Sequence, residues 1–398
     1  MVAPKLRFKE FDDAWQNKSL GKIIGISSAS RVFKDQWQES GVPFFRTSDV
    51  VSIFKKKENE KAYISLELFE ELAKKSGKIQ KDDLLVTGGG SIGIPYLIPN
   101  NEPLYFKDAD LLWLKSSGII EGPFLYNFFI SPKFREYLKS ISHTGTISHF
   151  TIEQAKATPF SFPSNKEQTK IATFLSAVDE KIAQLSQKLH LLGQYKQGMM
   201  QKLFSQQIRF KADDGSDFWE WEETQLISIS EIIMGSSPKS ENYNENSIGL
   251  PLLQGNADIK NRKSAPRLYT SEITKTCDIN DILLSVRAPV GFVAVSKHIA
   301  CIGRGLCSIR AKNEYSQDFL YQWLLNHEKL WVSLSQGSTF DSVNSEQIKK
   351  LCILVPCLEE QTKIANFLST IDKKMDVVSE QLKQTKTWKK GLLQQMFV

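Results

Sequence analysis

Cysteine is missing from the first 276 residues of this 398-residue sequence. The five that follow, Cys277, Cys301, Cys307, Cys352 and Cys357, are odd in number and form no Cys-x-x-Cys pair. That excludes a disulfide framework and gives no zinc-site spacing. Histidine is scarce as well. His143 and His149 stand six apart with no evident third ligand, so no metal is expected. No apolar run approaches the ~18 residues of a membrane span. The N-terminus carries Lys5, Arg7, Lys9 and Glu10 and has no apolar signal core, which predicts a cytoplasmic chain with no membrane partner. Three catalytic signatures are absent too. There is no Asn/Asp-Pro-Pro-Tyr/Phe to hold a flipped base, no Gly-x-x-x-x-Gly-Lys-Ser/Thr phosphate loop, and no nuclease carboxylate–lysine cluster or nucleophile elbow.

What is present is ordinary in bulk and unusual in arrangement. Hydrophobic residues make up 41% and charged residues 24%, as in a globular protein. The length fits two domains, each able to bury a core. The net charge of +6 permits nucleic-acid binding without requiring it. The unusual feature is a repeat. Residues 163–204 align with residues 356–397 at a constant offset of 193 with no gap. A period near half the chain is too long for a solenoid and indicates two globular units, each ending in the same helix.

Each repeated segment opens on Pro163 or Pro356 and a polar turn. Glu167 and Gln168, or Glu360 and Gln361, then fall in the first turn, where acidic residues suit the helix dipole. Apolar residues follow in steps of four and three at Ile171, Leu175, Val178, Ile182, Leu185, Leu189 and Leu192. The second copy keeps the register at Ile364, Leu368, Ile371, Met375, Val378 and Leu382. This is a coiled-coil seam. Two matching seams in one chain are most simply satisfied by packing on each other, antiparallel, as rods of roughly 58 Å at 1.5 Å per residue. Gly193, Gly198 and Gly391 weaken the later turns by about 1 kcal/mol each. An ordinary amphipathic helix on each domain is the alternative, although such helices usually run only 8–20 residues.

The stretches before the two helices echo each other with a drifting offset. Leu6, Arg7, Phe8 and Lys9 match Ile208, Arg209, Phe210 and Lys211, and Trp15 matches Trp221. Val42, Pro43 and Phe44 match Leu250, Pro251 and Leu252, Asp83 to Thr87 match Asp281 to Ser285, and Gly93 matches Gly291. Short apolar runs bounded by acidic turns and Gly read as strands. Residues 124–138 and 319–334 have helical spacing. The fold class is therefore mixed α/β, with globular domains over residues 1–162 and 206–355 and long helices over 163–205 and 356–398.

The doubled Pro-x-x-x-Glu-Gln-x-x-Ile-Ala-x-Phe-Leu-Ser-x-x-Asp pattern, closing two variable halves that each open on Leu/Ile-Arg-Phe and a Trp, closely resembles the specificity subunits of type I restriction–modification systems. The resemblance covers the whole chain. It implies two target recognition domains, each reading one half of a bipartite, asymmetric site in double-stranded DNA. It also implies that the helices set the spacing and recruit two modification subunits, which bring S-adenosylmethionine for adenine methylation. Restriction subunits would add ATP- and Mg-dependent translocation and cleavage. This chain itself would be non-catalytic and bind no cofactor. Two other classes stay open at this stage: a coiled-coil adaptor that binds only protein, and a stand-alone DNA-modifying enzyme with duplicated binding domains.

Candidate DNA contacts fall in matching segments. Arg46, Thr47 and Ser48 match Gln254 and Asn256 after the Pro-led strand. Arg suits guanine, and Gln or Asn suits adenine, by paired hydrogen bonds. Lys55, Lys56 and Lys57, and Arg262, Lys263 and Arg267, suit phosphates, although such clusters are also common on solvated loops. Residues 88–93 formally fit Gly-x-Gly-x-x-Gly. No helix pattern follows them, so a dinucleotide site is rejected. Thr87, Gly89 and Ser91 stand either in a plain loop or in a glycine loop close to the DNA backbone. His143, Thr144 and Thr146, and Gln336, Ser338 and Thr339, end each domain in a Gly turn that suits base-edge contacts and a simple turn equally. Arg287 and Arg304 complete the set in the second domain.

Overall fold

The computed structural model describes residues 3–116, 118–141, 149–335 and 342–398, leaving aside the side chains of 329–330 and 332–335. The chain divides into two compact units. One comprises residues 1–186 with 380–398, and the other residues 187–379. Each long helix, Asn165–Phe204 and Leu358–Met396, therefore begins in one unit and ends in the other.

Within the first unit a four-stranded sheet takes the order Ile26–Ser27, Leu111–Leu114, Leu84–Thr87, Pro95–Leu97. A three-stranded sheet places Val42–Phe45 between Ala62–Ile64, antiparallel, and Tyr105–Phe106, parallel. The second unit keeps both arrangements and enlarges them. Ile282–Ser285 lies between Leu306–Ala311 and Val293–Val295 in a six-stranded sheet. Leu250–Leu253 lies between Leu268–Thr270, antiparallel, and Ala300–Ile302, parallel, in a five-stranded one. Residues 95–97 are extended, as expected after the glycine loop. The first unit also carries helices Thr47–Lys55 and Leu66–Ser76, which the sequence pattern did not reveal. The single helix expected over residues 124–138 is two, Gly122–Ile130 and Pro132–Ser140. Ser131 ends the first and caps the second through the Phe134 amide, and Pro132 supplies the first turn. The corresponding helix of the second unit, Gln317–Ser335, is unbroken.

The long helices run antiparallel. In the first unit the start of one meets the end of the other, with Ile171, Leu175 and Val178 in one core with Leu392, Leu393, Met396 and Phe397. In the second unit Ile364, Leu368 and Ile371 share a core with Met200 and Leu203. Each unit holds one copy of the same ion pair, Lys389 to Asp179 at 2.5 Å and Lys196 to Asp372 at 2.7 Å. Leu185 and Val378 are buried, and Ile182, Leu189, Met375 and Leu382 are half-buried. The first turns serve more than a helix seam, because their apolar residues lie in the same core as Phe124, Phe128 and Phe160 or as Phe319 and Trp323.

The repeated Glu-Gln pair has a structural role that the dipole argument missed. Glu167 is 1% exposed and accepts two hydrogen bonds from the Arg7 guanidinium, at 2.8 and 2.7 Å, and one from the Trp15 indole at 3.3 Å. Glu360 accepts from Arg209 at 3.2 and 2.9 Å and from Trp221 at 3.0 Å. Gln168 donates to the Pro163 and Ile119 carbonyls and accepts from the Glu121 amide. Gln361 donates to the Pro356 carbonyl and accepts from the Ser316 amide. Phe8 packs edge-on to Phe174 and Phe210 on Phe367, both at 5.7 Å. The Arg-Phe and Trp openings are thus clamps on the start of each long helix. Chain entry into each unit matches as well. The Leu6 amide donates to the Gln395 carbonyl at 3.0 Å, and the Ile208 amide to Lys202 at 3.2 Å.

All five cysteines are free thiols. Cys277, Cys301 and Cys307 are buried, and burial pushes the Cys307 thiol up to about 12. No described helix is long and apolar enough to cross a membrane.

Candidate nucleic-acid interface

Each unit brings four segments together by backbone hydrogen bonds, in the same way. The first is the turn that leaves Val42–Phe45 or Leu250–Leu253. A buried aspartate ties it. Asp49 accepts the Arg46 amide at 2.8 Å, and Asp258 accepts the Gln254 amide at 2.8 Å. Each aspartate also holds an arginine, Asp49 taking Arg46 Nε and Asp258 taking Arg267 Nε, both at 2.9 Å. Asp49's hydrogen bonds outweigh the cost of burial and hold the Arg46 pKa above its ordinary value. Arg46 further donates to the Glu60 carbonyl and lies 5.6 Å from the Trp37 ring.

The second segment is the hairpin loop at residues 88–93 or 286–291. Thr87 Oγ1 donates to the Ser91 carbonyl at 2.5 Å and accepts the Ile94 amide at 2.9 Å. Ser285 Oγ does the same with Pro289, at 2.6 Å, and Phe292, at 2.9 Å. Gly93 and Gly291 take positive φ, and a Cβ there would lie 2.7 Å from Leu138 and 2.4 Å from Trp331. Both loops are therefore seated on the helix behind them. Thr87 is fully buried with its hydroxyl engaged, so it shapes the loop and presents no group to a ligand. That corrects its expected place among the contacts.

The third and fourth segments flank this loop. The Gly88 amide donates to the Asp110 carbonyl and the Phe150 amide to the Gly88 carbonyl, both at 2.7 Å. In the second unit the Val286 amide donates to Gly305 at 2.9 Å and the Val343 amide to Val286 at 3.0 Å. Gly89 bridges to His149, and Arg287 bridges to Ser342. Thr47 Oγ1 reaches the Asp110 carbonyl at 3.4 Å, and Asn256 Nδ2 reaches the Pro289 carbonyl at 3.4 Å, which joins the first segment to the others. Gly89 is buried, whereas Ser48, Ser91, Arg287 and Arg304 are exposed around these junctions.

The basic clusters lie apart from this convergence. Lys55, Lys56 and Lys57 are exposed where the helix Thr47–Lys55 ends, with Lys56 in the left-handed region at φ 53°. Lys263 is exposed on a short strand. Arg262 faces the helix Gln317–Ser335, where it meets Glu328 at 2.5 and 2.9 Å and the Val293 carbonyl at 2.8 Å. Its guanidinium also lies over Phe292, so it braces the fold. His143, Thr144, Thr146, Gln336, Ser338 and Thr339 fall outside the described residues. Sequence reasoning missed Asp49, Asp258, Asp110 and Gly305 as organisers. Only the Asp placed three or four residues after each strand-exit turn signalled the first two.

The converged surface offers hydrogen-bond donors and acceptors and cations. Among the described residues no group of three or more His, Cys, Asp or Glu is placed to hold a metal. Two α/β units built on the same frame, each sharing both long helices, define a class of internally duplicated α/β proteins.

The family model for the type I restriction modification DNA specificity domain matches residues 12–192 and 219–386, and the chain belongs to that family. It is 35% identical over 248 residues to the putative type I restriction enzyme MjaX specificity subunit of Methanocaldococcus jannaschii, covering 60% of this chain and 58% of that protein. A putative type I restriction enzyme specificity subunit of Haemophilus influenzae is 30% identical over 158 residues, covering 39% of this chain and 38% of that protein. The chain thus spans 58% or less of the length of these two curated relatives. The fold matches the S subunit of a type I restriction–modification system from M. genitalium with a TM-score of 0.63, at 18% identity over 100% of this chain and 99% of that one. A chain solved in work on complex assembly and conformational transition of the type I system matches with a TM-score of 0.62, at 22% identity over 96% and 97%.

Proposed function

We propose that this chain is the non-catalytic specificity subunit of a type I restriction–modification complex, and that each unit reads one half of a bipartite, asymmetric DNA site. One observation carries the reading: both units assemble the same four-segment surface on the same frame but present different side chains from it. Where one has Gly89 beside His149, the other has Arg287 beside Ser342. Where one has Asp108 and Ala109 between the backbone bonds to Phe45 and Gly88, the other has Arg304 between those to Leu253 and Val286. A shared frame with divergent tips suits two related ligands of different sequence. Direct readout distinguishes bases by the donors and acceptors presented to them. Exposed Lys55, Lys56, Lys57 and Lys263 fit phosphate contacts that position without specifying. The long helices set the spacing and dock two modification subunits. Those partners supply S-adenosylmethionine for adenine methylation, and restriction subunits supply ATP- and Mg-dependent cleavage. The recognition domains are residues 1–162 and 206–355, and the spacer helices are 163–205 and 356–398.

The test is a domain exchange. Residues 1–162 are replaced by the first domain of another family member, and the chimera is expressed with its modification subunit. Sequencing of methylated adenines should show one half-site changed and the other kept. A change in both, or methylation without a bipartite site, defeats the proposal.

A further inference from the structure

The turn at residues 303–305 lies between the strand-exit turn and the hairpin loop of the second unit and carries a single exposed side chain, Arg304, between two glycines. Its backbone is held from every direction. The Gly303 amide donates to the Leu253 carbonyl at 2.8 Å, and the Leu306 amide closes the turn on Gly303 at 3.1 Å. The Arg304 amide donates to Ser237 Oγ at 3.1 Å, and the Gly305 carbonyl accepts from Val286 at 2.9 Å. A Cβ on Gly305 would lie 2.2 Å from the Gln254 carbonyl, and one on Gly235 would lie 2.1 Å from the Gly303 carbonyl. Neighbouring backbone therefore packs against both sides of the turn. The Cα of Arg304 is fixed while its guanidinium is solvent-exposed. The neighbouring segments on either side carry Gln254 and Arg287.

The first unit builds the same place differently. The Lys107 amide donates to the Phe45 carbonyl at 2.8 Å and the Gly88 amide to Asp110 at 2.7 Å, the counterparts of the Gly303 and Gly305 bonds. Between them stand Asp108 and Ala109, and Lys107 is paired with Asp110 at 2.6 Å. No arginine occupies the position.

Resting on the DNA-recognition reading above, we propose that Arg304 is a specificity-determining residue that reads a guanine in the half-site of the second unit, with no equivalent contact in the other half-site. The planar guanidinium fork matches guanine O6 and N7 with two parallel hydrogen bonds. Such a contact needs a fixed origin, which this turn provides. A phosphate contact needs no such fork and suits the exposed ammonium groups of Lys55, Lys56 and Lys57. Lys263 is exposed elsewhere in the second unit and suits that role as well.

The experiment uses the full chain assembled with its modification subunit. Binding and methylation are measured on duplexes in which each base pair of both half-sites is varied singly, at several salt concentrations. The half-site of the second unit is assigned by the domain exchange. Arg304→Ala should lose discrimination at one G·C pair of that half-site, by roughly ten- to hundredfold. Every other position and the whole of the other half-site should stay as in the parent. Arg304→Lys, which keeps the charge but loses the fork, should retain only part of the preference. Uniform weakening on all duplexes, with the salt slope falling by about one, would mean a phosphate contact and overturns the assignment. An unchanged panel overturns it too. Intact discrimination at the other half-site and an unchanged unfolding temperature show that the variant is folded. A parent complex with no half-site preference at all removes the DNA-recognition reading itself, whereas a selective parent with an indifferent Arg304→Ala removes only the guanine contact.

Discussion

Glu360 is wholly buried, yet it is an acid, and its charge is matched by Arg209 and the Trp221 indole alone. Removing one partner of a buried pair leaves an uncompensated charge, at a cost of about 3–5 kcal/mol. Arg209 keeps some contact with water, at 22% exposure, so the loss for Glu360→Ala should be nearer 2–3 kcal/mol. Thermal unfolding of the purified chain should show a clear drop in midpoint, and Arg209→Met combined with Glu360→Ala should cost less than the sum of the two. An unchanged midpoint would mean that the clamp is decorative. This role was illegible in the sequence. Glu360 sits where any helix would welcome a carboxylate, and its partner lies 151 residues away. Repetition of the Glu-Gln pair marked it as important, but no local rule named the arginine. The structural ties of Thr87 and Arg262 were illegible for a related reason. Residue type indicated what each side chain could bind, and the strands and helices around them decided what each did bind.

The long helices were the most legible elements, because heptad spacing sustained from Ile171 to Leu192 and again from Ile364 to Leu382 is hard to produce by any other structure. What the period could not tell was what covers each turn. Ile171, Leu175 and Val178 were read as a seam for a second helix, yet they also lie in a domain core among Phe124, Phe128 and Phe160. The break at Ser131 was written in the sequence as a Ser-Pro step and was overridden by apolar spacing that continues across it. Among the described residues of the second unit only the one-turn helix Asn256–Asp258 stands where Thr47–Lys55 begins, and no helix matches Leu66–Ser76, so comparing halves gave no hint of them. The spacer role of the long helices carries its own prediction. Matched insertions of one turn, four residues after Leu185 and four after Val378, lengthen both helices by roughly 6 Å. Insertion in both keeps each ion pair, Lys389 with Asp179 and Lys196 with Asp372, on its own side of the added turn. Methylated sites should then show a gap longer by one or two base pairs, at ~3.4 Å each, with both half-sites unaltered. An active complex with the original gap would dismiss the helices as the ruler.

At the scale of the whole molecule, the two points of chain entry differ in one respect only. Ile208 follows Lys202 through a few residues of continuous chain, while Leu6 meets Gln395, the repeat partner of Lys202, through a hydrogen bond. The same joint is made once covalently and once not. A permuted gene that links residue 398 to residue 3 by a short flexible tether and opens the chain between Gln206 and Gln207 should therefore yield the same fold. Its unfolding midpoint and its methylated site should match the parent, and a chain that cannot assemble with the modification subunit would refute the equivalence. A permuted chain that folds would show that each entry joint holds without a particular order of the two halves along the gene.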